Sequence, residues 1–210
     1  MDALAREKQL LRAEMKKQLA SFTDAQKKEE STEICSVLAS SRFWPSLSGL
    51  AAFLPLQDEP NLHPLFERAL AEGKAFYLPR IDGEDLVFHT VSSFKSGLRP
   101  HAYGMPEPSP DLPPADWSAA GGPLLFLVPG LAFDRRGGRL GRGKGFYDRF
   151  FLSFAGKTPG NALVLGAAFS CQLAGCLPLE KTDYPLDGLV THKGIFFTQE
   201  AAIAKIPVFH

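Results

Sequence analysis

Cysteine is scarce in this chain. Cys35, Cys171 and Cys176 are the only three in 210 residues, and none forms a CxxC pair. An odd, low count excludes a disulfide framework and points to small buried thiols in a reducing compartment. No apolar run approaches the roughly 18 residues that a membrane helix needs. Neither sign of charge is in excess, because Lys plus Arg and Asp plus Glu number 23 each. That balance argues against a general nucleic-acid binder, which carries a basic surplus. The five histidines, at 63, 89, 101, 192 and 210, lack ligand spacing, so zinc is not expected. No G-x-S-x-G turn and no internal repeat is present. The first 20 residues mix Asp2, Glu7 and Glu14 with five basic residues, unlike a secretory signal or an acid-poor transit peptide. The expected setting is the cytoplasm, with no membrane or nucleic-acid partner.

What the chain does have is a concentrated loop. Leu124–Val128 reads as a short buried strand, broken by Pro129 and Gly130. Residues 134–149 then hold five glycines (137, 138, 141, 143, 145) and six basic residues (135, 136, 139, 142, 144, 149). Apolar residues at 146, 147, 150, 151 and 154 follow at near-helical spacing. A strand, a glycine-rich basic loop and a helix start together suit an anion. Glycines let backbone N–H groups approach it, the helix offers unpaired N–H groups, and arginine and lysine add charge. Gly138 to Gly145 nearly matches the phosphate loop G-x-x-x-x-G-K-[ST]. Gly145 has no hydroxyl for a metal, so an oxygen ligand must come from elsewhere, and Asp148, one turn on, is the nearest candidate.

In chain order, residues 3–20 read as an amphipathic helix with Leu4, Leu11, Met15 and Leu19 inward. Lys8 and Arg12 fall on another face, as a solvated basic stripe would. Thr23 and Gln26 fit a capping box for a second helix to about Ser40, with Ile34, Val37, Leu38 and Phe43 apolar and no evident chemistry. Residues 49–54 form a strand, 55–60 a turn bearing Asp58 and Glu59, and 61–72 a helix capped by Asn61 and stopped by Gly73. Residues 75–78 form a strand ended by Pro79-Arg80, and 86–91 an antiparallel partner after the Asp82-Gly83 turn. Residues 92–123 lack periodicity, and Trp117 within them suits packing. Strands follow at 162–168, 189–191 and 195–197, after a polar turn at 178–187. The pattern is α/β: a mostly parallel sheet covered on both faces. One domain over 1–210 is expected, with N-terminal helices over 1–42, a β-hairpin and an irregular insertion over 92–123.

The stretch PGLAFDRRGGRLGRGKGFYDR resembles the signature of the 5-formyltetrahydrofolate cyclo-ligase family, also called 5,10-methenyltetrahydrofolate synthetases. Lys8-Gln-Leu-Leu-Arg12, Phe53–Glu59, Tyr103–Pro108 and Pro178–Asp187 are similar to further family elements. The resemblance implies a three-layer αβα fold shared with CoA transferases and ribose-phosphate isomerases. It implies closure of 5-formyltetrahydrofolate to 5,10-methenyltetrahydrofolate, with ATP and Mg2+ used and ADP and phosphate released. It assigns ATP to Lys8, Arg12, Arg139, Leu140, Gly141, Arg142, Gly143, Lys144, Gly145, Phe146 and Tyr147. It assigns the folate to Leu54, Glu59, Tyr103 and Met105 together with Arg142–Phe146, the metal to Asp148 and Asp187, with Asp183 in the same turn left open as the nearer ligand, and the chemistry to Arg142 and Lys144. Thr182 stands where the family often has histidine. A monomer is expected. Two other readings compete: a kinase of a small hydroxyl compound on the same scaffold, and an RNA-binding module whose affinity would fall steeply with salt.

Overall fold

The computed structural model describes residues 3–93, 96–100, 106–117, 120–154 and 162–199. Helix α1 (Ala3–Ser21) buries Met15 and Leu19 of the stripe expected of it and leaves Leu4 and Leu11 half-buried; Lys8 lies on that stripe with Met15 and Leu19, not on a solvated face. Spacings of seven and four put residue 8 in the same seam as 15 and 19, so the lysine is buried at 6 % exposure. Helix α2 (Asp24–Ala39) starts at the expected capping box: Thr23 Oγ1 accepts from Gln26 N–H, and Gln26 Oε1 accepts from Thr23 N–H. It also carries polar work that its sequence hides. Glu30 accepts both the N–H and the hydroxyl of Ser170, at 2.7 and 2.5 Å, which ties α2 to the short turn at Ser170–Gln172.

Strand β1 (Gly49–Ala51) leads through a long turn to α3 (His63–Ala71). The N-cap of α3 is Leu62, which makes no side-chain cap bond, and not Asn61 as expected; Asn61 lies one residue earlier and accepts from His63 N–H at 3.0 Å. Gly73, at φ +72°, stops the chain from continuing the helix. Strand β2 (Ala75–Asp82) does not end at Pro79 as expected. Its parallel pairing with β1 runs only to Tyr77, whereas its antiparallel pairing with β3 (Asp85–Thr90) runs on to Asp82. Pro79 therefore sits where one flank of the strand has no parallel partner and its missing N–H costs little. The 92–123 region holds a small ladder, β4 (Leu98–Pro100) against β5 (Pro106–Pro108). It also delivers Trp117 onto Tyr77 and Phe126, with ring centroids 4.8 and 5.2 Å away. Such aromatic pairs are each worth about 0.5–1.5 kcal/mol beyond their buried area.

Strand β6 (Leu124–Val128) is buried at every position, as a central parallel strand must be. A short hairpin follows, β7 (Ala132–Phe133) with β8 (Arg139–Leu140), then α4 (Phe146–Phe154), β9 (Ala162–Ala167), β10 (Gly188–Thr191) and β11 (Gly194–Phe197). The seven-stranded sheet runs β11-β10-β9-β6-β1-β2-β3, parallel throughout except at its two outer pairs. Side chains alternate across it. Leu50, Phe76, Leu125 and Leu163 pack with Ile34 and Leu38 of α2 and Leu65 and Phe66 of α3. Ala51, Tyr77, Phe126 and Val164 face Phe151 of α4 on the other side. The expectation of a mostly parallel sheet covered on both faces holds. Helix α1 belongs to neither face. Its Met15 and Leu19 join Leu131, Leu140, Phe169 and Leu177 beyond the carboxyl ends of β6 and β9.

No helix among the described residues is long and apolar enough to cross a membrane. The winding of the sheet fixes where a ligand can sit. From β1 the chain moves to β2 on one side; from β6 it moves to β9 on the other. The order reverses between β1 and β6, and the loops leaving their carboxyl ends diverge there. Open α/β sheets hold ligands in the crevice at such a point.

Candidate active site

A cavity of about 810 Å3 opens at that reversal. Its walls come from the loop after β1 (Leu54, Leu56, Glu59), the loop after β6 (Pro129, Gly130, and Arg139 to Gly145), the first turns of α4, helix α1 (Lys8, Arg12) and the turn before β10 (Glu180, Thr182, Asp183). Pro79, Ile81 and Leu86 of the β2–β3 hairpin and Pro106 and Glu107 of β5 complete it, so segments far apart in sequence meet at one place.

The basic loop is held in shape from below. Asp134 Oδ1 accepts the N–H groups of Arg136 and Gly138, both at 2.9 Å, and Oδ2 accepts that of Leu177, also at 2.9 Å. Burial alone would push this carboxyl up; the N–H groups of Leu177, Gly138 and Arg136, with the Arg136 guanidinium, outweigh it and hold it below its ordinary range. Gln172 donates to Gly130 O at 2.6 Å and accepts from Phe169 N–H at 2.8 Å. Gly137 turns the hairpin at φ +86°, and a Cβ there would lie 2.3 Å from Leu186 O. We expect Gly137→Ala to cost about 2–4 kcal/mol from left-handed strain plus overpacking, read as a lowered midpoint in urea unfolding.

The phosphate-loop spacing at 138–145 does not fold as one continuous loop. Arg139 and Leu140 pair as β8 with β7, and only residues 141–145 cross freely to α4. That crossing uses Gly143 at φ +100° and Gly145 at φ +68°. It is tethered rather than splayed: Arg12 Nε donates to Gly141 O at 2.9 Å, and Arg149 Nη1 donates to Lys144 O at 2.9 Å. Lys144 is exposed, and its ammonium has no partner among the described residues. Phe146 and Tyr147 line the cavity from the first turn of α4. Burial first, and then the Glu59 charge, raise the Tyr147 phenol above its ordinary range, so it remains protonated.

Six cations and five acids line the cavity, so it is nearly self-neutralised. Lys8 Nζ lies 2.6 Å from Asp183 and 3.2 Å from Glu180. Arg139, with its side chain 6 % exposed, donates to Asp148 Oδ1 at 2.8 Å and lies over the Tyr147 ring at 5.5 Å. Asp148 Oδ1 also accepts from Tyr184 N–H at 3.2 Å. Arg142 pairs with Asp58 and Glu59. Glu59 is buried; burial pushes its carboxyl up, while Leu56 N–H and Arg142 pull the other way.

Of the site residues read from the sequence, Lys8, Arg12, Leu54, Glu59, Asp148 and all of Arg139 to Tyr147 line this one cavity. Tyr103 and Met105 lie outside the described residues. Asp187 does not line it. Its Oδ2 accepts Val164 N–H at 2.8 Å, beside the middle of β9. The acids that the same turn brings to the cavity are Glu180 and Asp183. The sequence gives no sign that Asp58, Glu180 and Asp183 are counter-ions, because single loop acids carry no periodic signal; that role exists only across segments. Among the described residues no three His, Cys, Asp or Glu side chains form a ready metal cage. A magnesium ion fits only where it keeps waters and takes one or two carboxylates plus ligand phosphates; Asp148 and Asp183 could supply those carboxylates.

The family model described as the 5-formyltetrahydrofolate cyclo-ligase family matches residues 5–192. A Caenorhabditis elegans protein named as a probable 5-formyltetrahydrofolate cyclo-ligase is 26% identical over 195 residues, covering 90% of this chain and 95% of that protein. The 5-formyltetrahydrofolate cyclo-ligase of Escherichia coli K12 is 34% identical over 146 residues, covering 68% of this chain and 76% of its own. The solution structure of Aquifex aeolicus 5,10-methenyltetrahydrofolate synthetase superposes with a TM-score of 0.76 at 30% identity, covering 91% of this chain and 93% of that one.

Proposed function

This chain belongs to the 5-formyltetrahydrofolate cyclo-ligase family, and on that premise we propose that it closes 5-formyltetrahydrofolate to 5,10-methenyltetrahydrofolate at the expense of ATP. The observation that carries the reading is the meeting, at the reversal of the sheet, of a cationic glycine loop with a buried carboxylate on the facing loop. The first suits phosphates and the second suits the paired N–H donors along a pteridine edge.

The chemistry asks for this arrangement. A formyl amide is a poor electrophile. Its oxygen attacks the γ-phosphorus of ATP, the bond to ADP breaks, and the formyl carbon becomes reactive. N10 of the same folate then attacks that carbon, loses its proton, and phosphate leaves. Such a transfer needs alignment and charge stabilisation more than a protein nucleophile. Lys144 and Arg142 provide the charge at the transferring group, and Gly141, Gly143 and Gly145 let backbone N–H groups reach it. Lys8 and Arg12 hold the nucleotide from α1. Leu54, Glu59 and Tyr147 border the pteridine. Magnesium, when bound, neutralises phosphate charge, and Asp148 with Asp183 would hold it. Asp183, which lines the cavity, takes the place that the sequence suggests for Asp187, which does not. The reading needs no second chain, since every residue it assigns lies in this one.

Mixing the protein with 5-formyltetrahydrofolate, ATP and magnesium should raise near-ultraviolet absorbance as methenyltetrahydrofolate forms, and omitting ATP should abolish the rise. A flat trace with ATP present, or ADP release only with another hydroxyl substrate, would overturn the assignment. Asp183→Asn should weaken Mn2+ binding in the presence of nucleotide, as read by the ion's paramagnetic effect on water relaxation. The same change at Asp187 should act mainly on thermal stability.

A further inference from the structure

Arg142 makes its contacts with two neighbouring acids. Its Nη2 lies 2.6 Å from Asp58 Oδ1 and 3.1 Å from Glu59 Oε1, and its Nε lies 3.4 Å from the same Glu59 oxygen. The second Glu59 oxygen accepts Leu56 N–H at 3.0 Å. The side chains are unequally exposed: 5% for Glu59, 31% for Asp58 and 36% for Arg142. In the functional reading above, on which this inference rests, Arg142 serves phosphate and Glu59 serves the pteridine. In the structure each of the two satisfies the other.

We infer that Asp58 and Glu59 stand in for phosphate on Arg142, and that exchanging them for nucleotide couples the binding of the two substrates. Phosphate draws the guanidinium away from Glu59. The buried carboxylate then lacks its cation, and the loss weakens the first binding event. Pteridine N–H donors restore that partner, so the second event is stronger than it would be alone. By linkage the folate must improve nucleotide affinity by the same factor. Asp58 touches neither the transferring group nor the folate in this scheme. It is a positioning residue, more exposed than Glu59, that competes with phosphate for Arg142 and keeps the guanidinium at the mouth of the cavity.

The test is calorimetric titration of 5-formyltetrahydrofolate with and without the non-hydrolysable β,γ-imido analogue of ATP, with magnesium throughout. The wild type should bind the folate at least about fivefold tighter with the analogue present. In Glu59→Gln, which removes the charge that Arg142 answers, folate binding weakens and the ratio falls towards one. In Asp58→Asn the analogue alone should bind several-fold tighter than in the wild type. A merely structural Asp58 would leave that affinity unchanged or weaken it. A ratio of one in the wild type, with both ligands binding, overturns the inference and leaves the functional reading intact. So does weaker analogue binding in Asp58→Asn with an unchanged melting curve. If neither ligand binds the wild type, the functional reading fails and the coupling with it.

Discussion

Replacing Lys144 by alanine is expected to lower kcat by about 10²–10³, the usual cost of one preorganised donor to developing charge. The lysine sits between Gly143 and Gly145, on the stretch of loop that crosses from the β7–β8 hairpin to α4. It is exposed, and its ammonium has no partner among the described residues. By contrast, Lys8, Arg139 and Arg142 are each neutralised by a carboxylate. Lys144 can therefore meet phosphate without first leaving an acid, and its loss removes no buried contact. The thermal midpoint should accordingly stay near the wild-type value while the rate of methenyltetrahydrofolate formation falls. KM for ATP should rise less than kcat falls, because the interaction strengthens as charge moves in the transition state. Lys144→Arg should restore only part of the rate, since a planar fork is not a compact point charge. Near-normal turnover in a folded Lys144→Ala protein would remove this residue from the chemistry.

Asp134→Ala should have the larger effect on stability. The carboxylate is 1 % exposed and accepts three backbone N–H groups, those of Arg136, Gly138 and Leu177. Removing it leaves these donors without their acceptor, which should cost about 3–5 kcal/mol. For a chain of this size that is a fall in Tm on the order of 10 °C. Activity should drop as well, because the β7–β8 hairpin sets the path of the cationic loop. The same residue predicts a pH dependence. Its folded carboxyl is held below the ordinary value of 3.8. The unfolded chain therefore takes up the proton first as pH falls, and stability drops. The contribution is fully present above about pH 4 and is lost as pH falls through the folded value. Urea unfolding at graded pH should show a shallower acid limb in Asp134→Ala than in the wild type.

The charge pattern of the cavity gives these predictions a common basis. A site built to take a triphosphate holds more cations than a protein can leave bare around a partly buried space. Here the surplus is met by acids on neighbouring segments, Asp183 and Glu180 for Lys8, Asp148 for Arg139, and Asp58 and Glu59 for Arg142. On the proposed reading, ligands bind by exchange rather than by filling an empty field. The balanced cavity also fits a chain whose basic and acidic residues are equal in number.

Much of the architecture was legible from local rules. The capping box at Thr23, the Gly73 stop, the buried run at 124–128 and the aromatic face of α4 follow from short-range sterics and the period of apolar residues. The candidate site was legible as well, because glycines and cations crowd into one stretch. Departures arose where distant segments decide. Pro79 lies inside a strand because β1 ends first. Lys8 sits in the buried seam of α1 and is neutralised there by two acids from another part of the chain. By itself the sequence determined which segments bear charge, which must be inside, and where backbone must turn left-handed. Only the tertiary structure decided which acid answers which cation. Lys8 and Asp183 are 175 positions apart, and Arg142 and Glu59 are 83 apart. Those pairings depend on the order of strands in the sheet, and strand order follows from packing the whole core, not from any one stretch of chain.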